Sequence, residues 1–95
     1  MYVVVRKYSG AGALADAMER SQPAIEELLR GVPGFVAYYA VRSPDGLAAV
    51  TVCEDRAGTT ESTKRAAAWI KENLRDVWLS PPEVTEGEAF LEIHR

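Results

Sequence analysis

The chain has 95 residues, enough for one folded domain and too few for two separate hydrophobic cores. It carries 11 Lys and Arg against 14 Asp and Glu, a net charge of −3, so it lacks the basic excess that binds nucleic acid or an anionic membrane. Its single cysteine, Cys53, forms no internal disulfide, and no N-terminal stretch is apolar for long enough to be a signal sequence or a membrane span. We therefore expect a single cytoplasmic domain over residues 1–95.

The first part of the chain predicts a strand followed by a helix. The stretch Tyr2–Tyr8 is rich in β-branched and aromatic residues and ends at a glycine-containing turn. From Leu14 onwards, apolar residues recur at helical spacing. Because Pro23 lacks a backbone N–H, it interrupts this helix, and we expect either a kink near Arg20 or a new helix capped by Ser21.

The middle of the chain predicts a β-hairpin. Phe35–Val41 is apolar almost throughout, and Leu47–Glu54 returns as a second strand. Between them, Ser43–Gly46 contains a proline suited to the first corner of a turn and a glycine free to adopt positive φ. These features together indicate two adjacent antiparallel strands.

The last part of the chain predicts a second helix and a fourth strand. A hydroxyl of Thr59 or Thr60 can cap a helix whose apolar residues continue as far as Val77, with Trp78 at its edge. A turn follows at the two adjacent prolines, and Ala89–Ile93 is predicted to be the fourth strand.

The element order β-α-β-β-α-β is typical of the ferredoxin-like α+β fold, in which two helices cover one face of a four-stranded antiparallel sheet. Two helices leave the other face open. The second strand lies at an edge of that sheet, and alternation places Phe35 with Tyr39 on one of its faces and Tyr38 on the other, so both faces are apolar. Since an exposed apolar edge strand promotes aggregation, we expect a homodimer in which a second copy of the sheet covers the open face.

Three segments resemble the antibiotic biosynthesis monooxygenase family: Val32–Tyr39, the Asp45-Gly46 turn and Val50–Asp55. Members of that family are dimeric α/β barrels, so the resemblance implies a homodimer and a cavity between sheet and helices in each subunit. Members known as enzymes oxidise aromatic polyketides, quinols or haem with O₂, several of them without a separate cofactor. The resemblance therefore implies a monooxygenase that acts on a small aromatic substrate and needs no cofactor.

The chain departs from the family pattern at two places. Where the family commonly has Trp-Glu at the end of the third strand, this sequence has Cys53-Glu54, which makes one wall of the pocket smaller. The haem-degrading branch has an Asn on the first strand, a Trp on the second helix and a His soon after it. Here Lys7 lies near the Asn position, Trp69 is placed to match the Trp, and no His follows in the helix. These differences argue against haem degradation.

Four residues are candidates for the site. Lys7 and Tyr39 are predicted to be catalytic, and Cys53 and Trp69 to line the substrate pocket. If all four share the cavity, the cation or the phenol binds an enolate or phenolate oxygen and favours substrate deprotonation before reaction with O₂. Alternation along the strands does not decide which face lies under the helices. The alternative function is a non-catalytic dimeric module that binds a hydrophobic metabolite or a partner protein, with the aromatic residues serving as core and interface packing.

Two further patterns are weaker. Gly10–Ala15 matches the dinucleotide-binding pattern Gly-x-Gly-x-x-Ala, but the strand that follows forms an antiparallel hairpin, whereas dinucleotide sites need a parallel sheet. His94 has no second histidine and no cysteine or carboxylate at recurrent ligand spacing, and a metal site needs three or four ligands. The sequence therefore predicts neither a dinucleotide site nor a metal site.

Overall fold

The computed structural model describes all 95 residues, which form four strands and three helices. In chain order these are β1 (Tyr2–Ser9), α1 (Gly12–Arg20), α2 (Gln22–Arg30), β2 (Phe35–Ser43), β3 (Gly46–Cys53), α3 (Arg56–Asn73) and β4 (Glu83–Glu88). The strands form one sheet in the order β2-β3-β1-β4, and every neighbouring pair is antiparallel. This topology confirms the predicted ferredoxin-like α+β fold. None of the three helices combines the length and apolar character needed to cross a bilayer.

The first predicted helix is divided in two. α1 ends at Arg20 and α2 begins at Gln22, with Pro23 in its first turn, where the missing backbone N–H of a proline leaves no helical hydrogen bond unmade. Of the two predicted outcomes, the new helix is therefore observed. Its predicted cap is wrong, because the Ser21 side chain makes no capping hydrogen bond.

The last helix begins earlier and ends earlier than predicted. Asp55 caps it, its side chain accepting a hydrogen bond from the Gly58 amide at 3.2 Å, so the expected threonine cap is wrong. Asp is as good an N-cap residue as Ser and better than Thr. The helix ends at Asn73, and a tight turn follows in which the Val77 amide donates to the Leu74 carbonyl at 3.2 Å. Val77 consequently lies outside the helix.

The fourth strand was predicted from hydrophobicity and lies elsewhere. β4 is Glu83–Glu88 and pairs with Tyr2–Lys7 of β1, whereas the predicted strand Ala89–Ile93 is irregular. Hydrogen bonds along the backbone hold an edge strand whatever its side chains, and charged residues on such a strand prevent pairing with another molecule. Phe90, which the prediction placed in the sheet, is 98% exposed.

A β-bulge at Val36 changes the predicted faces of β2. Phe35 pairs with Cys53, and after the extra residue Tyr38 pairs with Thr51. Directly paired residues of antiparallel strands share a face, so Phe35 and Tyr38 lie on the same side of the sheet. The simple alternation that separated these two residues is wrong because it allowed no bulge.

The two faces of the sheet have different surroundings. The helices cover the face that contains the buried side chains Val4, Arg6, Leu47, Ala49, Thr51 and Cys53. The open face carries mostly apolar side chains, from Val3, Val5, Val50, Val52, Tyr39 and Val41, and Tyr39 is 62% exposed. The site described next lies entirely on the covered face.

Candidate functional site

A small cavity, which we call the inner cavity, lies between the helices and the covered face of the sheet. Its volume is about 40 Å³, a few times the space that one water molecule needs. Twelve of its thirteen lining residues are hydrophobic, among them Tyr8, Tyr38 and Trp69, and the exception is Arg6. The family resemblance implied a cavity between sheet and helices, and the structure contains an apolar one with a charged group in its wall.

A larger space, the outer groove, runs between α1, α2 and β2. Its volume is about 640 Å³, within the usual range for small-molecule sites. The groove and the inner cavity have five lining residues in common, which are Met18, Ile25, Leu29, Tyr38 and Leu47. The two spaces therefore adjoin, and Tyr38 lies at their junction.

Arg6 is the most unusual residue of the site. It is only 2% exposed, and its guanidinium donates from Nη1 to Thr63 Oγ1 at 2.9 Å and from Nη2 to Thr51 Oγ1 at 3.1 Å. Its Nε has no hydrogen-bond partner, and no carboxylate forms an ion pair with it. Burying a charge without a counter-ion costs several kcal/mol. Such a cost is typical of a group kept for binding or catalysis.

Two tyrosines extend this polar cluster. Burial raises the pKa of Tyr8 and of Tyr38, and the nearby positive charge of Arg6 acts in the opposite direction. Both phenols thus stay protonated at neutral pH. The guanidinium of Arg6 donates to two threonine hydroxyls and to neither phenol, so each phenol hydrogen is available to an acceptor.

The structure separates the four residues that the sequence suggested for the site. Trp69 lines the inner cavity. Lys7 and Tyr39 are exposed on the open face, because neighbouring residues of a strand point to opposite sides of the sheet. The four therefore do not share one cavity within a single chain, and the catalytic role of Lys7 and Tyr39 stays a prediction.

Cys53, the fourth of those residues, lies in the core and lines neither the inner cavity nor the outer groove. It packs under the start of α3, so closely that a Cβ atom on Gly58 would lie 3.0 Å from its Sγ. Burial, with a smaller contribution from Asp55, raises the pKa of the Cys53 thiol. A protonated, enclosed thiol is a packing group and a poor nucleophile.

Arg6, Tyr8 and Tyr38 were not among the residues predicted for the site. One signal was present, since the two cations Arg6 and Lys7 follow the apolar run Tyr2–Val5 and adjacent strand residues point to opposite faces, so one of the two lies under the helices. This signal identifies Arg6 as a site residue only when the face of β1 that the helices cover is known, and the alternation of side chains does not determine that face. The burial of Val4, two residues before Arg6, identifies the face.

Solved structures share this architecture over nearly the whole chain. The monooxygenase of the gene ActVA-Orf6 of Streptomyces coelicolor, solved with nanaomycin D, superposes with a TM-score of 0.72 at 20% identity, over 99% of this chain and 91% of that one. A variant of SnoaB, a cofactor-independent oxygenase from Streptomyces nogalater, superposes with a TM-score of 0.67 at 20% identity, over 99% and 97%. The chain has the fold of the antibiotic biosynthesis monooxygenases.

A third structure with this monooxygenase fold holds a different ligand. A variant of MhuD, with two manganese protoporphyrin IX molecules in each active site, superposes with a TM-score of 0.71 at 15% identity and full coverage of both chains. No protein-family model and no curated protein sequence matches the chain. The predicted resemblance is therefore confirmed at the level of the fold.

Proposed function

We propose that this protein is a monooxygenase that oxidises a small aromatic substrate with O₂ and uses no separate cofactor. The observation that carries the proposal is the apolar inner cavity with a polar cluster in its wall, formed by the buried Arg6 and the half-buried Tyr8 and Tyr38. The fold supports it, since structures that share the fold include a monooxygenase and a cofactor-independent oxygenase.

The sizes of the two spaces suggest how such a substrate lies. The inner cavity, at about 40 Å³, takes only a small group, whereas the groove, at about 640 Å³, has room for a ring system. Phe35 and Ile25 give the groove apolar surface for a flat ring. The substrate rings then occupy the groove next to Tyr38.

The chemistry follows from the position of Tyr38 at the junction. Its hydroxyl, protonated at neutral pH, donates a hydrogen bond to a substrate oxygen, and this bond strengthens as the substrate loses a proton to solvent and the oxygen becomes negative. The resulting carbanion gives electrons to O₂ and, with a proton from solvent, forms a carbon-bound hydroperoxide; its O–O bond then breaks as the carbon loses its second hydrogen and water leaves. Overall, a ring CH₂ group and O₂ yield a carbonyl and water, so the substrate supplies every electron that O₂ accepts.

We also propose that the functional unit is a homodimer in which the open faces of two sheets pack together. Val41 is 52% exposed on that face and Tyr39 is 62% exposed. Large apolar surfaces of this kind mark protein interfaces. The groove and the inner cavity lie on the other side of the sheet, so this packing leaves them accessible.

The proposal is tested by oxygen uptake with metal-free protein and an anthrone, which has the ring CH₂ group that the step requires. We expect protein-dependent uptake that falls about 10²-fold in Tyr38→Phe, which removes one hydroxyl and keeps the ring. Tyr39→Phe makes the same change on the open face. If Tyr39→Phe or Lys7→Met loses oxygen uptake while Tyr38→Phe keeps full uptake, the chemistry lies on the open face. If the wild type shows no protein-dependent uptake, the proposed enzymatic function is refuted.

A non-catalytic dimeric module that binds a hydrophobic metabolite is the second candidate. One observation favours it: the inner cavity is lined by no histidine and no carboxylate, so no side chain there is ready to act as a base at neutral pH. This function predicts saturable binding of an aromatic ligand without any oxygen uptake.

A further inference from the structure

We propose that Arg6 binds a carboxylate, and that the natural ligand is an aromatic acid whose carboxylate enters the inner cavity while its apolar body lies in the outer groove. The inference rests on the site of the proposed function.

The hydrogen bonding of Arg6 is the first observation. Only two threonine hydroxyls accept from its guanidinium, and Nε is left without an acceptor although it is buried. A guanidinium is planar and presents parallel N–H groups that match the two oxygens of a carboxylate. An anion of that shape supplies both the missing acceptor and the missing counter-charge.

The other cations near the site are already paired. Arg42, which lines the outer groove, lies 3.0 Å from carboxylate oxygens of both Asp16 and Glu19. Arg30, also in the groove lining, lies 2.8 Å from Glu26. Arg6 is the cation of the site that lacks an acidic partner, so an anionic group is attracted to the inner end and not to the mouth.

The dimensions of the site agree with a carboxylate. The inner cavity holds a group of a few atoms and excludes a ring. Tyr8 lines the inner cavity together with Arg6 and keeps a phenol hydrogen that the carboxylate accepts in addition, while Tyr38, at the junction with the groove, keeps its hydrogen for the reacting oxygen. A neutral amide of equal size places an NH₂ group against these donors and loses that match.

Binding of 2-naphthoate, with 2-naphthamide as the uncharged match, tests the inference. The protein used carries Trp78→Phe, which leaves Trp69 in the cavity wall as the only tryptophan and its fluorescence as the readout, with calorimetry as a second measurement. We expect naphthoate to bind at least about tenfold more tightly than the amide. Arg6→Met removes this preference. Lys64→Met, which removes an exposed positive charge from α3, keeps it.

The folding of the variant is measured in parallel. Arg6→Met removes a buried charge that has no counter-ion, which offsets the loss of the hydrogen bonds to Thr51 and Thr63, and we expect a Tm within about 5 °C of that of the parent. Arg6→Lys keeps the positive charge but loses the planar pair of N–H groups, and we expect it to retain part of the preference for naphthoate over naphthamide. Equal binding of acid and amide, no naphthoate binding at millimolar concentration, or an acid preference that survives in Arg6→Met overturns the inference. A Tm lowered by more than about 5 °C in Arg6→Met also does so, because it shows a structural role.

These measurements are separate from turnover. They are made without O₂, so the absence of oxygen uptake by the wild type refutes the monooxygenase and leaves the carboxylate site intact. Conversely, equal binding of the acid and the amide refutes the carboxylate site and leaves the monooxygenase to be decided by oxygen uptake alone.

Discussion

Arg65 on α3 donates from Nη1 to the main-chain carbonyl of Leu28 on α2, at 2.9 Å. Leu28 lies in the last turn of α2, where the carbonyl groups have no partner within the helix. The bond therefore caps α2 from a different helix. Glu61, one turn before Arg65 and 2.9 Å from its Nε, holds the guanidinium in place.

Loss of this cross-helix bond is expected to weaken the fold. Arg65→Met keeps most of the aliphatic stem and removes the donor, so we expect the free energy of unfolding to fall by about 1–2 kcal/mol in urea titration. Lys71→Met, a change of the same charge on an exposed position of α3, is the control and should cost less than about 0.5 kcal/mol. Equal effects of the two substitutions would show that the bond to Leu28 contributes nothing.

The same arginine makes the contribution of Glu61 depend on pH. Its hydrogen bond holds the pKa of the Glu61 carboxyl below the ordinary value of 4.5. A carboxyl whose pKa is lower in the folded state stabilises the fold above its unfolded pKa and loses that effect as the pH falls through the folded pKa. We expect Glu61→Gln to be less stable than wild type at pH 7 and equal to it near pH 2. A difference that does not change with pH contradicts this.

Gly34 is required by its backbone conformation. Its φ is +70°, and a Cβ atom there would lie 3.3 Å from Cβ of Glu54, whose amide donates to the Gly34 carbonyl at 2.8 Å. Gly34→Ala is expected to destabilise the protein by about 1–2 kcal/mol in thermal or urea unfolding. In contrast, Gly12→Ala at the start of α1 meets nothing within 4 Å, and we expect it to be neutral or slightly stabilising.

Replacing each of the two adjacent tyrosines of β2 by glutamate is predicted to have a different effect: one substitution lowers stability and the other prevents dimerisation. Tyr38→Glu buries a carboxylate on the covered face and should lower the free energy of unfolding by about 2 kcal/mol or more. Tyr39→Glu places the charge on the open face and should leave a folded monomer in sedimentation, where the wild type sediments as a dimer. Thr60→Glu, on the exposed side of α3, should change neither property. A monomeric wild type would disprove the proposed dimer.

Local signals in the sequence were enough for part of the fold. The turn Ser43–Gly46 and the helix boundary at Pro23 were predictable, because proline and glycine restrict or free the backbone wherever they occur. The position of β4 was not predictable. Its residues form a strand because their backbone pairs with β1, which is distant in the sequence, and its glutamates have a low intrinsic preference for strands. The site depended on still more distant information, because Arg6 becomes informative only once the helices are known to lie above it.

The bulge at Val36 has a consequence for how this sequence can vary in length. Phe35 pairs with Cys53 and Tyr38 pairs with Thr51, so both rings point to the covered face. Phe35 and Tyr38 are three residues apart, and in a regular strand residues three apart point to opposite faces. The extra residue Val36 is what allows both rings to lie on the same face. Removing a residue here would force one of the two rings to the other side of the sheet, so segment length, as well as residue identity, decides which aromatic side chain lines the outer groove.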